Sequence, residues 1–334
     1  MKAIQFTHYG EPAQVLTVQD LPLPEPGKGE VRVRILASPV NPSDLLFVRG
    51  HYAGVQPYFP SPVGFEGIGI VDALGPHADH PVPGQRVAVI NGETGGNWAE
   101  YAVVPAHALL PVPDHLPDEQ IASFFINPAS AILMLRHILA ISKGEWLLQS
   151  AAGSELGRMI IRLAQRDGIR TVNIVRRREA VTELENLGAD AVIVSTEGPI
   201  DEQVRRIVGS QGVKYAIDPV VGETETQMYQ ALGDDGRMLV YGSLTGEPIR
   251  VGADPRFILA GWRILEVFWL GYWLPRLDET ARRQLVQDIV TLLREGILTT
   301  SAAQSFPLDE IGAAVIQAEA VGRQGKVLLV PEKQ

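Results

Sequence analysis

The chain has 334 residues, of which 46% are hydrophobic and 20% are charged, a balance typical of a globular protein with two domains. Its net charge of −10 argues against a nucleic-acid partner, since binding to a phosphate backbone needs a basic face. The sequence contains no cysteine, which excludes disulfides, thiol nucleophiles and zinc sites built on thiolates.

The ends and apolar stretches of the chain bear on its location. The N-terminal sequence lacks the basic segment and apolar core of a secretory signal. The longest apolar stretches, such as the one at 265–275, are too short to span a bilayer. We therefore expect a cytoplasmic protein with no membrane partner.

Residues 1–122 are rich in proline and glycine and contain short β-rich runs. Turn residues bound the runs at 31–38, 67–75 and 86–90, which is the pattern of a compact, mostly β domain with many short connections.

Residues 123–297 differ, because strand-like segments alternate there with helical segments of about 10 to 15 residues. This alternation predicts βαβ units and a doubly wound parallel sheet. An apolar run at 325–331 predicts a final strand that returns to the first domain. We therefore expect an α/β domain, 123–297, inserted into a β-rich domain made of 1–122 and 298–334.

The segment SAAGSELG, at 150–157, lies between the first predicted strand and the first predicted helix of the inserted domain. A loop that binds a dinucleotide has this placement, with the pyrophosphate on the N-terminus of the helix. In the frame Ala151, Ser154, Gly157, only the last position is glycine. On spacing alone, a phosphate loop and an ordinary strand-to-helix turn are equally open.

Three arginines, Arg176, Arg177 and Arg178, follow the second predicted strand of this domain. An acidic residue there would accept the ribose 2′-hydroxyl of NAD, whereas arginine accommodates the 2′-phosphate of NADP. The alternative is a solvated basic cap, but positive charge at a helix N-terminus opposes the helix dipole. The arginines therefore favour NADPH over NADH as the cofactor.

Several stretches, taken in order, resemble one family. They are NPSD at 41–44, GFEGIGIV at 64–71, GGNWAEYAVV at 95–104, INPASA at 126–131, AIDPVVG at 216–222, YGSL at 241–244, FWLGYW at 268–273 and GKVLLV at 325–330. Along its whole length the chain resembles the zinc-free medium-chain dehydrogenases/reductases, and within them the quinone oxidoreductases and the mitochondrial-type trans-2-enoyl thioester reductases. The resemblance implies a Rossmann-type sheet inserted into a GroES-like catalytic domain.

The enoyl thioester reductases carry a loop of the form A-A-N-S-A-V-G, with which AAGSELG aligns without a gap. The resemblance implies that Ser154 supplies a hydroxyl and an N–H near the phosphates and that Gly157 permits close helix packing. Glu155 departs from the family pattern, because its carboxylate would repel a pyrophosphate unless it pointed to solvent. The other residues that the resemblance places at the cofactor are Ser130, Ala152, Gly153, Leu156, Tyr241, Gly242, Phe268, Leu270 and, near the 2′-phosphate, Lys326.

The resemblance also implies the catalytic candidates Tyr52 and Asn41. Tyr52 would donate a hydrogen bond to the thioester oxygen as hydride arrives at Cβ, where charge develops only in the transition state. The alternative is an ordinary surface tyrosine. Asn41 would position the ribose or the substrate, and Asp44 is expected to N-cap a helix that starts at Leu45.

A metal site is not expected. The zinc-dependent relatives carry a histidine in a G-H-E stretch, where this chain has Gly64, Phe65 and Glu66. The histidines show no spacing typical of a metal site.

These features predict a zinc-independent, NADPH-dependent reductase of activated C=C bonds in 2-enoyl thioesters, with hydride added to Cβ and a proton to Cα. The alternative is an NADPH:quinone or enone oxidoreductase, for which Tyr52 would matter little. A third possibility, supported only by Glu155, is an NADP-binding sensor without turnover. The resemblance also implies a homodimer in which the edge strands of two nucleotide-binding domains pair, and the segment 263–269 would be that edge strand.

Overall fold

The structure, a computed structural model, forms two compact units. The first unit consists of 1–126 together with 300–334, and the second consists of 127–299. The residues that the structure describes are 1–52, 54–92, 95–113, 116–251, 257, 261–300, 304–320, 322–323 and 325–331.

The strands are numbered in chain order. Those of the first unit are β1 (Lys2–Phe6), β2 (Thr17–Asp20), β3 (Glu30–Pro39), β4 (Ser61–Pro62), β5 (Glu66–Leu74), β6 (Arg86–Ile90), β7 (Tyr101–Pro105), β8 (Leu109–Pro111), β15 (Gln304–Phe306) and β16 (Val327–Leu329). Those of the second unit are β9 (Trp146–Gln149), β10 (Arg170–Val175), β11 (Ala191–Val194), β12 (Val213–Asp218), β13 (Leu232–Val240) and β14 (Ile264–Val267).

The helices are named by their residues. The α-helices are Pro12–Val15, Pro42–Val48, Asp118–Ile121, Ile126–Ile132, Glu155–Asp167, Val181–Asn186, Ile200–Val208, Glu223–Gln230, Leu270–Trp273, Glu279–Arg294 and Ile311–Glu319. A π-helical segment, Leu133–Ile138, continues the helix Ile126–Ile132. Within the described residues, no helix combines the length and the apolar character needed to cross a membrane.

The first unit is built on two mostly antiparallel sheets. One has the order β2-β1-β4, and the other has the order β15-β16-β3-β5-β6-β8, with β7 also paired to β3. Val31, Val33 and Ile35 of β3 are at most 2% exposed and pack into one core, as expected for a strand with one buried face. Near the C-terminal end of the described residues, β16 pairs antiparallel with β3.

A second core of the first unit is aromatic. The rings of Phe6 and Phe47 meet edge to face with their centroids 5.4 Å apart, and the ring of Phe47 lies 5.3 Å from that of Phe65. Trp98 is fully buried in the same core and donates through Nε1 to the carbonyl oxygen of Pro39 at 3.1 Å. Tyr52 packs against this core, which therefore supports the loop that follows the helix Pro42–Val48.

The second unit contains a parallel sheet with the strand order β11-β10-β9-β12-β13-β14. Counted along the chain, this is the dinucleotide-fold order 3-2-1-4-5-6, which reverses between β9 and β12. Ligands of such sheets bind outside the carboxyl ends of the strands at that reversal. The predicted doubly wound parallel sheet and the β-rich first unit are both confirmed.

The sequence pattern of 122–140 and of 224–236 predicts a helix in each segment. The observed helices are shorter, because the first begins at Ile126 and the second ends at Gln230. In the second case Leu232 already pairs with Val213, and the chain then bulges before Arg237 pairs with Tyr215. A bulge inserts residues that no period-two pattern predicts.

Candidate functional site

The loop at 150–154 joins β9 to the helix Glu155–Asp167 at the reversal of strand order. Ser154 caps this helix, because its Oγ accepts a hydrogen bond from the N–H of Gly157 at 3.1 Å. The N–H of Ala152 donates to the carbonyl oxygen of Ile174 at 3.2 Å, which ties the loop to β10. The first turn of the helix thus begins at the loop, and its remaining N–H groups are suited to hold an anion.

Two glycines give this loop the shape of a phosphate cradle. A Cβ on Gly157 would lie 2.6 Å from the carbonyl oxygen of Ala152, so a side chain there would force the helix away from the loop. A Cβ on Gly153 would have no described atom within 4 Å, which leaves open space beside the backbone. Ala151 adopts φ 48, in the left-handed region that favours glycine. The loop therefore keeps the backbone geometry of a glycine-rich turn with few glycines.

Glu155 does not point to solvent, since it is 8% exposed. Its charge interacts with Arg158 and Arg162 on the same helix, and a carboxylate is favourable in a first helical turn. Arg158 also donates through Nε to the carbonyl oxygen of Gly153 at 3.1 Å and pairs with Glu183. The repulsion expected from Glu155 is thus offset by arginines, and Arg158, which sequence reasoning missed, supports the loop itself.

The three arginines after β10 are all exposed, but they differ in their partners. Arg178 forms a two-pronged ion pair with Glu197, with Nε 2.7 Å from Oε1. In the described part of the chain, Arg176 and Arg177 have neither a hydrogen bond nor an ion pair through their side chains. Since β9 and β10 are neighbours in a parallel sheet, these two cations lie at the same sheet edge as the loop at 150–154.

The end of β12 adds one polar group that sequence reasoning did not assign. Asp218 is buried and accepts hydrogen bonds from the hydroxyl of Ser150 and from the N–H groups of Val220 and Val221. Burial raises the pKa of this carboxyl despite those three donors. The AIDPVVG stretch, with an acidic residue closing a buried strand, was the available signal.

Tyr241 follows β13 and carries a buried hydroxyl with no hydrogen-bond partner among the described residues. Burial raises the pKa of this hydroxyl, and the neighbouring Asp218 raises it further. A Cβ on Gly242, the next residue, would lie 3.0 Å from the Cβ of Pro219. A buried donor without an acceptor at the ligand edge of such a sheet is a site that a bound molecule could satisfy.

The other cofactor candidates of the second unit take the following positions. Phe268 follows β14, is 4% exposed and donates its N–H to the carbonyl oxygen of Val240 at 2.8 Å. Leu270 begins a short helix and Leu156 lies in the first turn after the loop, and both are half-buried. Ser130 is 6% exposed on the helix Ile126–Ile132.

A buried polar cluster lies in the first unit, where the start of the helix Pro42–Val48 meets β5 and β16. It consists of Asn41, Asp44, Glu66 and Lys326, each at most 3% exposed. Asn41 donates through Nδ2 to Oε1 of Glu66 at 2.9 Å and accepts through Oδ1 from Nζ of Lys326. Asp44 accepts from the N–H of Asn41 at 2.8 Å.

The charges in this cluster are strongly coupled. Burial, with a smaller contribution from the neighbouring Glu66, raises the pKa of Asp44 to about 7. Burial also raises the pKa of Glu66, while the ammonium of Lys326 lowers the pKa of both carboxyls. Glu66, which accepts a second hydrogen bond from the N–H of Ile126 at 3.0 Å, was missed by sequence reasoning. Its signal was a charged residue at the start of a buried strand.

Two expected roles differ from the observed placement. Asp44 is not the N-cap of a helix that starts at Leu45, because the helix begins at Pro42, a residue favoured at a first helical position, and Asp44 reaches back to Asn41. Lys326, expected near a 2′-phosphate, donates to Asn41 inside the cluster. Sequence alone gives no indication that residues so far apart share one buried cluster.

Phe65 connects Tyr52 to this cluster. The ring of Tyr52 stacks on that of Phe65 with a centroid distance of 5.3 Å and an interplanar angle of 28°. Phe65 in turn donates its N–H to Oδ1 of Asp44 at 3.0 Å. The first unit therefore brings Tyr52 and Asn41 into one connected set, although they are eleven positions apart on either side of a helix. Among the described residues, no group of three or more metal-ligating side chains is placed to hold a metal ion.

Comparisons with known proteins match both units. Residues 27–114 match the alcohol dehydrogenase GroES-like domain, and residues 156–286 match the zinc-binding dehydrogenase family. The mitochondrial enoyl-[acyl-carrier-protein] reductase of Xenopus tropicalis is 30% identical, over 98% of this chain and 95% of that protein.

Solved structures match over nearly the whole length. A candidate NADPH:quinone reductase from Bacillus thuringiensis superposes with a TM-score of 0.92 and 29% identity, covering 99% of each chain. A mycobacterial protein in complex with NADPH has a TM-score of 0.88 and 26% identity, over 99% of this chain and 100% of that one.

Proposed function

We propose a function from the premise that this chain belongs to the medium-chain dehydrogenase/reductase superfamily, in the branch of quinone oxidoreductases and enoyl thioester reductases. The chain is an NADPH-dependent reductase of 2-enoyl thioesters, adding hydride to Cβ and a proton to Cα. The observation that carries this proposal is the ring of Tyr52 stacked on Phe65, which gives a loop without regular structure one fixed hydroxyl donor.

The residues of the second unit fit NADPH. The pyrophosphate would lie on the N-terminal turn of the helix Glu155–Asp167, in the open space beside Gly153. The 2′-phosphate would lie on Arg176 and Arg177, whose guanidinium groups have no partner among the described residues. The buried hydroxyl of Tyr241 would gain the acceptor that it lacks. When bound, the cofactor supplies the hydride.

The chain's own contribution to the chemistry is at the thioester oxygen. As hydride reaches Cβ, negative charge moves onto that oxygen, and the hydroxyl of Tyr52 donates a hydrogen bond to it. Asn41 is held by Glu66 and Lys326, so it presents a fixed amide rather than a mobile one. A donor that is already oriented costs no reorganisation when the charge appears.

The runner-up function is reduction of quinones or other activated enones with NADPH. The likeness to the Bacillus thuringiensis structure favours it, since that protein carries such a name. On this alternative the same cofactor site serves a substrate without a thioester, and the hydroxyl of Tyr52 contributes little. The third possibility, a sensor without turnover, rested only on the negative charge of Glu155. We do not propose it, because two arginines offset that charge.

A homodimer is part of the proposal. Strand β14 is the edge of the six-stranded sheet in the described residues, and its neighbourhood exposes Trp262, Ile264 and Val267. An exposed apolar edge strand is suited to pair with the same strand of a second copy. We also propose a cytoplasmic location, although the Xenopus tropicalis relative is named as a mitochondrial protein. Fractionation of the source cells tests this location.

The test measures NADPH oxidation by the purified protein with crotonyl-CoA, dodecenoyl-CoA and benzoquinone as separate substrates. The proposal expects thioester turnover that falls about a hundredfold in Tyr52→Phe, the loss typical of a removed oxyanion donor. The matched control is Tyr58→Phe, on an exposed tyrosine of the same unit. Turnover of benzoquinone alone, at a rate unchanged in Tyr52→Phe, would favour the alternative function of quinone reduction.

A further inference from the structure

Phe65 lies between two aromatic rings in the first unit. It stacks on Tyr52 at 5.3 Å and 28°, and its other neighbour, Phe47, lies 5.3 Å away at a tilt of 58°. Phe65 is 2% exposed, whereas Tyr52 is half-buried and belongs to a loop. The stack therefore joins a side chain of the core to one at the surface.

The backbone of Phe65 is held from both sides. Its N–H donates to Oδ1 of Asp44 at 3.0 Å, and its carbonyl oxygen accepts from the N–H of Asn91 at 2.8 Å. Asp44 is fully buried and is itself fixed by the N–H of Asn41. The ring of Phe65 thus has little freedom to move, unlike a ring on a loop.

Tyr52 lies four positions after the end of the helix Pro42–Val48, in a stretch without regular structure. A side chain on such a loop keeps a catalytic position only when packing restricts its rotamers, and the required precision is about 0.5 Å. The stack on Phe65 is a ring contact of this kind for Tyr52.

We propose that Phe65 is a positioning residue, an aromatic platform that holds the hydroxyl of Tyr52 where the thioester oxygen will lie. This inference rests on the function proposed above. It adds that position 65 controls the rate of thioester reduction without contacting the substrate or the cofactor. The platform needs a flat ring, so a branched aliphatic side chain of similar volume cannot replace it.

The experiment compares Phe65→Leu with Phe47→Leu. Phe47 is 1% exposed and contacts Phe65 and Phe6, so its replacement costs comparable core packing without removing the stack on Tyr52. We expect Phe65→Leu to lower kcat for crotonyl-CoA about tenfold with an unchanged Kd for NADPH, because small misplacements of reacting groups are costly. Phe47→Leu should lower the melting temperature and leave kcat close to that of the parent. Phe65→Tyr keeps the ring and should keep kcat.

Double variants separate the platform from the donor. In the Tyr52→Phe background, Phe65→Leu should cost nothing further in kcat, because the hydroxyl that it positions is already absent. If Phe65→Leu and Phe47→Leu lower kcat alike, or if Phe65→Leu costs as much in that background as in the parent, the platform is overturned. If Tyr52→Phe alone leaves kcat unchanged, the proposed donor role of Tyr52 is wrong, and the platform is overturned with it. Failure of the platform alone would instead leave the loss of kcat in Tyr52→Phe intact.

Discussion

Lys326 donates through its ammonium to Oδ1 of Asn41, although the two residues are 285 positions apart in the sequence. The ammonium also lowers the pKa of both buried carboxyls, those of Glu66 and Asp44. Its positive charge therefore compensates two buried acidic side chains.

Replacing Lys326 with methionine should destabilise the protein. Removing one partner of a buried ionic set leaves uncompensated charge, at a cost of about 3 kcal/mol or more. The measurement is urea unfolding, with Lys28→Met at an exposed position of the same unit as the control. The ratio of NADPH to NADH affinity should not change. A lowered ratio with unchanged stability would place Lys326 at the 2′-phosphate.

The stability of the protein should fall as pH rises from about 4 towards about 7, the window between the ordinary and the raised pKa of Asp44. In this window the folded state binds more protons than the unfolded state, so unfolding becomes more favourable with increasing pH. Glu66 contributes with the same sign, since its pKa is also raised.

Asp44→Asn should reduce that slope, as measured by chemical unfolding at a series of pH values. The asparagine keeps one acceptor for the N–H of Phe65 and does not ionise. Asp79→Asn, at an exposed position of the same unit, is the control and should leave the slope unchanged. An equal slope in Asp44→Asn and the parent would mean that Asp44 does not titrate in this range.

The arginines after β10 should contribute unequally to cofactor binding. Arg176→Ala and Arg177→Ala should each weaken NADPH binding about tenfold or more, since a charge-assisted hydrogen bond contributes about 1.5 to 3 kcal/mol. NADH binding should change little. Arg178→Ala should have a smaller effect, because Glu197 already holds that guanidinium. Fluorescence titration with both cofactors measures this, and equal losses in all three variants would contradict it.

The two loop glycines should respond to alanine in opposite ways. Gly157→Ala should lower stability by about 1 to 3 kcal/mol, because the new methyl group meets the backbone of Ala152 at 2.6 Å. Gly153→Ala should leave stability nearly unchanged and weaken NADPH binding, since its methyl group would occupy the open space of the cradle. Thermal unfolding with and without NADPH distinguishes these outcomes. A Gly153→Ala variant with parental affinity would show that the phosphates lie elsewhere.

The parts of this site that lie in short, continuous segments could be predicted from the sequence. The loop at 150–157 and the arginines after β10 are short segments tied to one strand end each, so the alternation of strands and helices locates them. The close packing of Gly157 likewise follows from its place in the first helical turn.

What the sequence could not provide is pairing across long distances. Glu197 forms an ion pair with Arg178, which makes this arginine less available to a phosphate. Lys326 donates a hydrogen bond to Asn41, which lies near the other end of the sequence. Asp218 meets Ser150 only because β9 and β12 are neighbours at the reversal of strand order. Each of these contacts depends on the chain topology, and composition and periodicity do not predict which distant residues it brings together.

The most direct test of the central claim follows the hydride. Crotonyl-CoA is reduced with NADPH that carries deuterium at both C4 positions, and the butyryl product is analysed by mass spectrometry and NMR. We expect one deuterium at Cβ, and with unlabelled NADPH in D₂O one deuterium at Cα. Absence of labelled butyryl-CoA, in protein that binds NADPH and reduces benzoquinone, would contradict it.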